Sequence, residues 1–297
     1  MKLLLSTLVM LLLASSLWAE NPGSMPLLKM APDARSVALG ETGIAGSQGA
    51  MAAFHNPALL AFSEQSQAAF AYSDWLLDLS LQSGALLFDY GRFSTALSFN
   101  TFTTPDIERR VLPSDQPLET FSAHDMAAGL SLSYLFRRDI SLGITGRFLY
   151  QQIYVEEASG FSSDLGIAYR PAFYPITFAA ALRNIGKMNA LQQEVPPLPS
   201  NFGAGVSGQV FKREDFALRG MADALIYFDD DVRIHAGLEG SYKSLLFLRL
   251  GYQTGSELRK ISAGAGLSWT RFAFDYAYQP LSEEFEASHR FALSITF

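Results

Sequence analysis

Four histidines are the chain's candidates for acid–base catalysis or metal binding: His55, His124, His235 and His289. None lies in a His-x-x-x-His or His-Glu-x-x-His arrangement, in which two imidazoles share one face of a helix and bind zinc. The chain contains no Cys, so a thiolate zinc site and a disulfide framework are excluded. We expect His235, beside Arg233, to be a hydrogen-bonded wall residue. The sequence therefore predicts no enzyme, no metal site and no cofactor.

Two short motifs could be taken for ligand sites. Asp229-Asp230-Asp231 offers carboxylates to Ca²⁺ but lacks the spaced ligands of a calcium loop, so we interpret it as a solvated acidic loop. Gly264-Ala265-Gly266 lies inside a predicted strand, where small residues relieve crowding, and the chain has no glycine-rich phosphate cradle.

Ten charged side chains recur on one face of the predicted strands, opposite a continuous apolar face. Six are Arg and four are acidic. We expect them to form a charge network in a polar lumen, where each ion needs a partner or water. The residues are Arg147, Asp164, Arg183, Arg219, Asp223, Arg233, Glu239, Arg249, Asp275 and Arg290.

The composition excludes several functional classes. Hydrophobic residues make up 49% of the 297 residues and charged residues 17%, with a mean hydropathy of +0.13, so the chain is too apolar for a disordered protein. A formal net charge of −7 argues against a nucleic-acid partner bound through its phosphates. No segment after the N-terminus has the length of apolar sequence that a membrane-spanning helix needs.

The N-terminus is typical of a secretory signal peptide. Lys2 precedes the apolar run Leu3–Leu13, and a segment rich in small residues follows as far as Ala19. We expect cleavage after Ala19, which removes 19 of the 297 residues and leaves 278, with Lys2 lost and a formal charge of −8. The alternative is a buried N-terminal helix.

From about residue 67 onward, apolar residues recur at every second position, as in half-buried strands. Gly84 interrupts the alternation and suggests a bulge. The clearest run is Met126, Ala128, Leu130, Leu132, Tyr134 and Phe136, opposite Ala127, Gly129, Ser131 and Ser133. About fourteen such segments lie near 67–76, 79–89, 92–102, 125–137, 140–155, 159–170, 175–186, 200–211, 214–226, 232–242, 244–253, 259–269, 270–279 and 287–297.

The connections between these segments mostly alternate in length. Short ones such as Tyr90-Gly91 and Lys212-Arg213 alternate with longer ones at about 103–124, 187–199, 227–231, 254–258 and 280–286, and two more are short where a long one is expected. Short periplasmic turns and longer outer loops are typical of outer-membrane barrels, and a soluble sandwich has no reason to sort its loops this way.

The apolar face indicates whether the barrel is surrounded by water or by lipid. In water it would form a larger patch than soluble proteins expose, whereas in a bilayer it faces lipid, with aromatic residues such as Trp269, Tyr278 and Tyr252 at the interfaces. A soluble barrel with an apolar interior, the alternative, would need side chains to fill too wide a lumen. We therefore predict an all-β fold, an antiparallel transmembrane β-barrel of about fourteen strands in the lipid of the bacterial outer membrane. The terminal aromatic Phe297 resembles the signal for outer-membrane barrel assembly.

Residues 20–66 do not alternate and are rich in Gly, Ala and Ser. Asn56-Pro57 can start a short helical turn, since Pro is tolerated at the first helical position. We expect this segment to fit inside the barrel, residues 67–297, as an N-terminal plug. The alternative is a disordered periplasmic tail, against which the apolar residues Leu39, Ile44, Leu59 and Leu60 argue.

Several motifs resemble the PorV/PorQ family of outer-membrane barrels. They are Ala34-Arg35 through Leu39-Gly40, Gly43-Ile44-Ala45, Asn56-Pro57-Ala58-Leu59-Leu60, Tyr154-Val155-Glu156, Ala158-Ser159-Gly160-Phe161, Asp164-Leu165-Gly166 and Ala181-Leu182-Arg183-Asn184-Ile185-Gly186. That family is similar to the FadL-like long-chain fatty-acid transporters. The chain departs from it before Asn56, where Gly46–Ala53 holds no acid, so a role of acidic residues there does not carry over.

The resemblance implies a non-enzymatic accessory of type IX protein secretion or surface attachment, with secreted proteins or secretion machinery as partners. Loops 103–124 and 187–199 would then form the contact surface. The alternative is a FadL-like channel for hydrophobic small molecules, and a third reading is a structural barrel without transport. In the channel, the ligand or plug residues would be Phe54, Asn56, Pro57, Leu59, Leu60 and Phe62.

Overall fold

The computed structural model describes residues 25–75, 79–110, 117–191, 194–228, 232–255, 259–281 and 287–297. The expected signal peptide and the acidic run at 229–231 lie outside these ranges. In the described part of the chain, none of the helices has the length and apolar character needed to cross a membrane.

Fourteen antiparallel strands close into one barrel, in which every strand pairs with its neighbours in sequence and β1 pairs with β14. The predicted fold class is confirmed. The strands are β1 Gln67–Asp74, β2 Ser80–Asp89, β3 Phe93–Arg109, β4 Glu119–Leu135, β5 Ile140–Ile153, β6 Glu156–Tyr169, β7 Ile176–Met188, β8 Asn201–Arg213, β9 Phe216–Tyr227, β10 Val232–Tyr242, β11 Leu246–Gln253, β12 Ile261–Trp269, β13 Phe272–Gln279 and β14 Ser288–Thr296.

Alternation decides which face of each strand looks outward. In β4, Leu130 is 50% exposed while its neighbour Ser131 is fully buried, because successive side chains point to opposite faces of a strand. The outward face carries large apolar and aromatic side chains around the whole barrel, and the inward face carries small and charged ones. This arrangement suits a barrel in lipid with a polar interior.

Two details of the predicted strands are wrong. The expected loop 103–124 is mostly strand, since β3 continues to Arg109 and β4 begins at Glu119, with a register shift between Thr104 and Ile107. Alternation fades there because polar residues occupy both faces of this extension. Gly84 makes no bulge, because β1 and β2 pair in continuous register through it.

The pattern in β2 is blurred for a different reason. Leu81 and Leu87 point inward, where apolar side chains of the N-terminal segment cover them. Apolar residues therefore stand on both faces of this strand, and the period-two signal weakens although the pleat is regular.

Residues 25–66, hereafter the lumenal segment, lie inside the barrel. They form three short 3-10 helices, η1 Pro26–Lys29, η2 Gly49–Phe54 and η3 Pro57–Phe62, and one α-helical turn, α1 Ala34–Ala38. η1 packs near the end of the barrel with the longer loops, the loop end, and η3 near the end with the short turns, the turn end. The segment thus crosses much of the lumen from one end to the other.

Candidate functional site: the lumen and the segment that fills it

Apolar contacts hold the lumenal segment at two levels. Near the loop end, Met25 and Leu27 pack against Leu81, Phe102 and Leu149 of the wall. Closer to the turn end, η2 and η3 pack against inward Ala and Leu side chains of the wall, in a cluster that includes Ala71, Ala85, Leu87, Ala96, Ala168 and Ala181. The sequence places small residues at these wall positions because a larger side chain would occupy the space of the segment.

Asn56 ties three parts of the molecule together. Its Oδ1 accepts a hydrogen bond from the Ala58 amide at 3.0 Å and caps η3, whose first residue is Pro57. Its Nδ2 donates to the Ile44 carbonyl at 3.0 Å and to the Ala180 carbonyl of β7 at 3.3 Å. The side chain is fully buried, so these bonds form away from water.

The docking of η3 depends on hydroxyls and glycines of β4, β5 and β6. Ser141 Oγ donates to the Ala58 carbonyl at 2.8 Å, and the Ala61 amide donates to Ser133 Oγ at 3.2 Å. A Cβ at Gly143 would lie 2.3 Å from the Ala58 nitrogen, so only Gly lets the helix approach this closely.

An ion-pair chain joins α1 to the wall beside it. Arg35 makes a bidentate contact with Glu239 of β10, with both N–O distances at 3.0 Å. Glu239 also accepts from Arg249 Nε at 2.8 Å, and Arg249 Nη1 reaches Asp275 at 2.6 Å. Burial lowers the pKa of Arg35, but Glu239 raises it further, so the net shift is upward. The guanidinium stays charged and paired.

A second buried cluster lies between β5, β6 and β7. Arg147 Nη2 donates to Asp164 at 2.7 Å, and its Nη1 donates to the Asn184 side chain at 3.1 Å. Asp164 also accepts from the Asn184 amide at 2.8 Å, where the β6–β7 register shifts. The cluster supplies hydrogen-bond partners to polar groups at this irregular stretch of the wall.

Three more predicted charges meet backbone or polar groups. Asp223 Oδ2 accepts from the Gly43 and Ile44 amides at 2.6 and 2.9 Å. Arg290 Nη1 donates to the Ala31 carbonyl at 2.7 Å, and Arg183 Nε donates to Asn201 at 3.1 Å. Arg219 interacts through its charge with Arg35 and Glu239, and the guanidinium of Arg233 lies 4.7 Å from the Tyr227 ring. The ten residues thus form several clusters, not one network.

Four charged or titratable residues of the segment make side-chain hydrogen bonds or ion pairs that the sequence analysis did not predict. Asp33 caps α1 by accepting from the Ser36 amide at 2.9 Å and faces His55 at 3.4 Å. Burial raises the pKa of Asp33, but His55 and Ser36 lower it more, to about 2. Arg35 is the third, and Glu41, the fourth, pairs with Arg259 at 3.0 Å. The Asp33-x-x-Ser36 cap was readable in the sequence; the pairing partners, more than 200 residues away for Arg35 and Glu41, were not.

The six predicted ligand or plug residues do not line one pocket. Phe54 borders a central cavity of about 50 Å³, whereas Leu59 and Phe62 border a cavity of about 930 Å³ at the turn end. Asn56, Pro57 and Leu60 are buried in contact with the wall. A further cavity of about 200 Å³ lies beside Arg35 and Glu239.

The histidine side chains of the described ranges contact neighbouring residues. His235 Nδ1 donates to the Glu41 carbonyl at 3.1 Å, as predicted for a wall residue. His124 contacts Thr103, and His289 contacts Tyr276. Among the residues that the structure describes, no group of three His, Cys, Asp or Glu side chains could hold a metal ion.

Several solved structures share the fold of this chain. No curated protein sequence matches the chain. Among solved structures, the Pseudomonas putida toluene transporter TodX matches with a TM-score of 0.64 and 11% identity over 93% of this chain and 99% of its own. The Ralstonia pickettii toluene transporter TbuX matches with 0.62 and 12% over 89% and 98%, and a Pseudomonas aeruginosa FadL homologue with 0.55 and 13% over 90% and 98%. At these identities the likeness concerns the fold.

The family model described as "Type IX secretion system protein PorV" matches residues 21–171, just over half of the chain. The match spans the lumenal segment and strands β1 to β6, and the chain is accordingly placed in the bacterial outer membrane. The resemblance in the motifs of the sequence is therefore confirmed, and the chain belongs to the PorV family of outer-membrane β-barrels.

Proposed function

We propose that this barrel is a non-enzymatic accessory of type IX protein secretion or surface attachment, and that it works by binding protein partners. The observation that carries the proposal is the PorV family match, which includes the lumenal segment as well as six strands. The closed lumen supports it, because a barrel whose interior is filled offers partners its ends and loops.

In this proposal the lumenal segment is a plug. It is held by the Asn56 bonds, by the Arg35–Glu239 pair and by two apolar clusters. Pockets that enclose small molecules usually measure about 300–1,000 Å³. Of the three cavities described, the two deeper in the lumen, beside Phe54 and beside Arg35, measure about 50 and 200 Å³ and fall below this range, whereas the one at the turn end measures about 930 Å³. A lumen that is filled at depth and open only at the turn end favours a closed barrel over a hydrophobic channel.

The proposed partner surface is at the loop end, which faces the outside in outer-membrane barrels. β3 and β4 extend there as a ribbon, stiffened where Arg109 pairs with Glu119 and donates to Tyr154 Oη at 3.1 Å. The ribbon and the β5–β6 turn present Leu118 and Val155, which are 67% and 68% exposed. A partner that covers these two side chains removes apolar surface from water, which favours binding.

A pull-down from mild detergent extracts of the native host tests the proposal. The tagged wild-type chain should recover secretion-system or secreted proteins, identified by mass spectrometry. The double variant Leu118→Glu/Val155→Glu should lose them, since it places charge in the centre of the contact. Glu214→Gln, in the turn between β8 and β9 at the opposite end, is the matched control and should keep them. An empty wild-type pull-down would count against the proposal.

A further inference from the structure

The largest cavity of about 930 Å³ opens at the turn end of the barrel, the end that faces the periplasm in outer-membrane barrels. It is bounded by η3 and by the turns after β4 and β6, and it reaches Arg219 on the inner wall of β9. Its volume is several times that of the two cavities deeper in the lumen, about 50 and 200 Å³. Among the three cavities described, this one is the roomiest, and it opens at the end that faces the periplasm.

The charge of this cavity is opposite to that of the whole chain. Arg138, Arg170 and Arg219 line it, and Glu64 is the one acid among its lining residues, whereas the chain carries a formal charge of −7. Neither Arg138 nor Arg219 makes a hydrogen bond or ion pair with a residue that the structure describes, although Glu239 acts on Arg219 through its charge. Three arginines against one glutamate leave an excess of positive charge at this end of the lumen.

Arg170 is held in position without being neutralised. Its guanidinium stacks on the Phe62 ring of η3 at 4.2 Å, and its Nε donates to Thr177 Oγ1 at 3.2 Å. Burial and the nearby charge of Arg219 lower the pKa of Arg170, and the charge of Glu64 offsets only part of this effect. The remaining guanidinium donors can serve an anionic group that enters the cavity.

Aromatic side chains complete the rim. Phe173 and Tyr174, in the turn between β6 and β7, are 93% and 67% exposed and line the same cavity. Exposed aromatic residues beside arginines are typical of sites that bind polypeptide, because rings take apolar side chains and guanidinium groups take carboxylates.

We propose that this mouth binds an acidic, extended polypeptide segment presented from the periplasm. A volume of about 930 Å³ is far larger than an inorganic anion fills and lies in the range of sites that enclose whole ligands, about 300–1,000 Å³. Carboxylates of the peptide pair with Arg138, Arg170 and Arg219, and its apolar side chains contact the aromatic rim. The site is separate from the proposed loop-end surface, so either can exist without the other.

Fluorescence anisotropy on the purified full chain in detergent tests this site. The probe is a short fluorescein-labelled peptide of Asp, Glu, Gly and Tyr, and the comparison probe carries Asn and Gln in place of Asp and Glu. The acidic probe should bind, and its affinity should fall as salt is raised. Its affinity should exceed that of the amide probe by about tenfold or more. Equal binding of both probes would overturn the proposal.

Adjacent arginines provide matched variants. Arg138→Gln and Arg170→Gln should each lower the affinity for the acidic probe by about tenfold, which is the loss expected for one charge-assisted contact. Arg137→Gln removes the same charge from the same turn, but Arg137 does not line the cavity, so it should bind as the wild type does. Heat-modifiable gel mobility checks that each variant forms a barrel. If inorganic phosphate binds as tightly as the peptide, or if Arg137→Gln weakens binding as much as Arg138→Gln, the proposal is wrong.

Discussion

Single buried side chains, rather than surface charges, fix the lumenal segment to the wall. Asn56 is the clearest case, since its amide serves the η3 cap, the Ile44 carbonyl and the Ala180 carbonyl of β7 together. A buried amide with several partners cannot be replaced by water without movement of the backbone around it.

Asn56→Ala should therefore destabilise the protein by about 2–3 kcal/mol, because it removes a helix cap and leaves buried carbonyls without donors. Urea unfolding in detergent micelles measures the loss, and limited proteolysis detects release of the segment. Asn189→Ala, at an exposed position just after β7, is the control and should be neutral. Equal stability of the two variants would show that the segment is held in another way.

The Asp33–His55 contact gives the segment a dependence on acid. The pKa of Asp33 falls from 3.8 to about 2 in the folded chain, because His55 and Ser36 outweigh the effect of burial. A depressed carboxyl pKa stabilises the fold above the unfolded value, and this stabilisation is lost as pH falls through about 4 toward 2. The shift corresponds to about 2 kcal/mol.

Asp33→Asn keeps the cap and removes the charge, so the stability difference between wild type and variant should shrink by about 2 kcal/mol between about pH 5 and pH 2. Urea unfolding at a series of pH values checks it. A difference that stays constant over this range would contradict the assigned role of the carboxylate.

At the scale of residues, the alternation of side chains along a strand predicted which charged residues point inward. It did not predict which residues they contact. Glu239 could be placed on an inner face from its strand alone. That it pairs with Arg35 could not be predicted, because Arg35 lies in a segment without alternation and 204 positions away. Partners set by tertiary packing leave no local signal.

At the scale of elements, the contact between η3 and β5 depends on glycine. Gly143 and Gly146 lie three positions apart in β5, but only Gly143 lies against the helix. A Cβ at Gly143 would meet the Ala58 backbone at 2.3 Å, whereas a Cβ at Gly146 would have nothing within 4 Å.

Gly143→Ala should displace η3 and expose the lumenal segment to protease, with a loss of stability of about 1–3 kcal/mol from overpacking. Gly146→Ala should stay within about 0.5 kcal/mol of the wild type. Digestion of the folded barrel, read by mass spectrometry, compares the two. If both variants resist protease alike, the close packing of η3 does not hold the segment.

The strands themselves were predictable because lipid on one side and a polar lumen on the other impose a strict period of two. The prediction failed where that contrast disappears. Leu81 and Leu87 meet the apolar segment inside the barrel, and residues 103–110 and 117–124 extend β3 and β4 with polar side chains on both faces. The path of the lumenal segment was not readable, since its short 3-10 turns carry no periodic signal.

At the scale of the whole molecule, the fold and the family point in different functional directions. The solved structures that share this fold include toluene transporters, while the family model carries a type IX secretion description. The proposed function follows the family, and under it the pinned segment keeps the lumen closed where a channel would need a path.

The central claim is that the chain serves protein secretion and not uptake of hydrophobic compounds. The most direct test is a deletion strain of the native host, in which secreted and surface-attached proteins are quantified by mass spectrometry alongside uptake of labelled toluene and a long-chain fatty acid. We expect exported proteins to be retained in the cell while uptake of both compounds is unchanged, with restoration by the wild-type chain. Normal secretion together with lost uptake of either compound would contradict the claim.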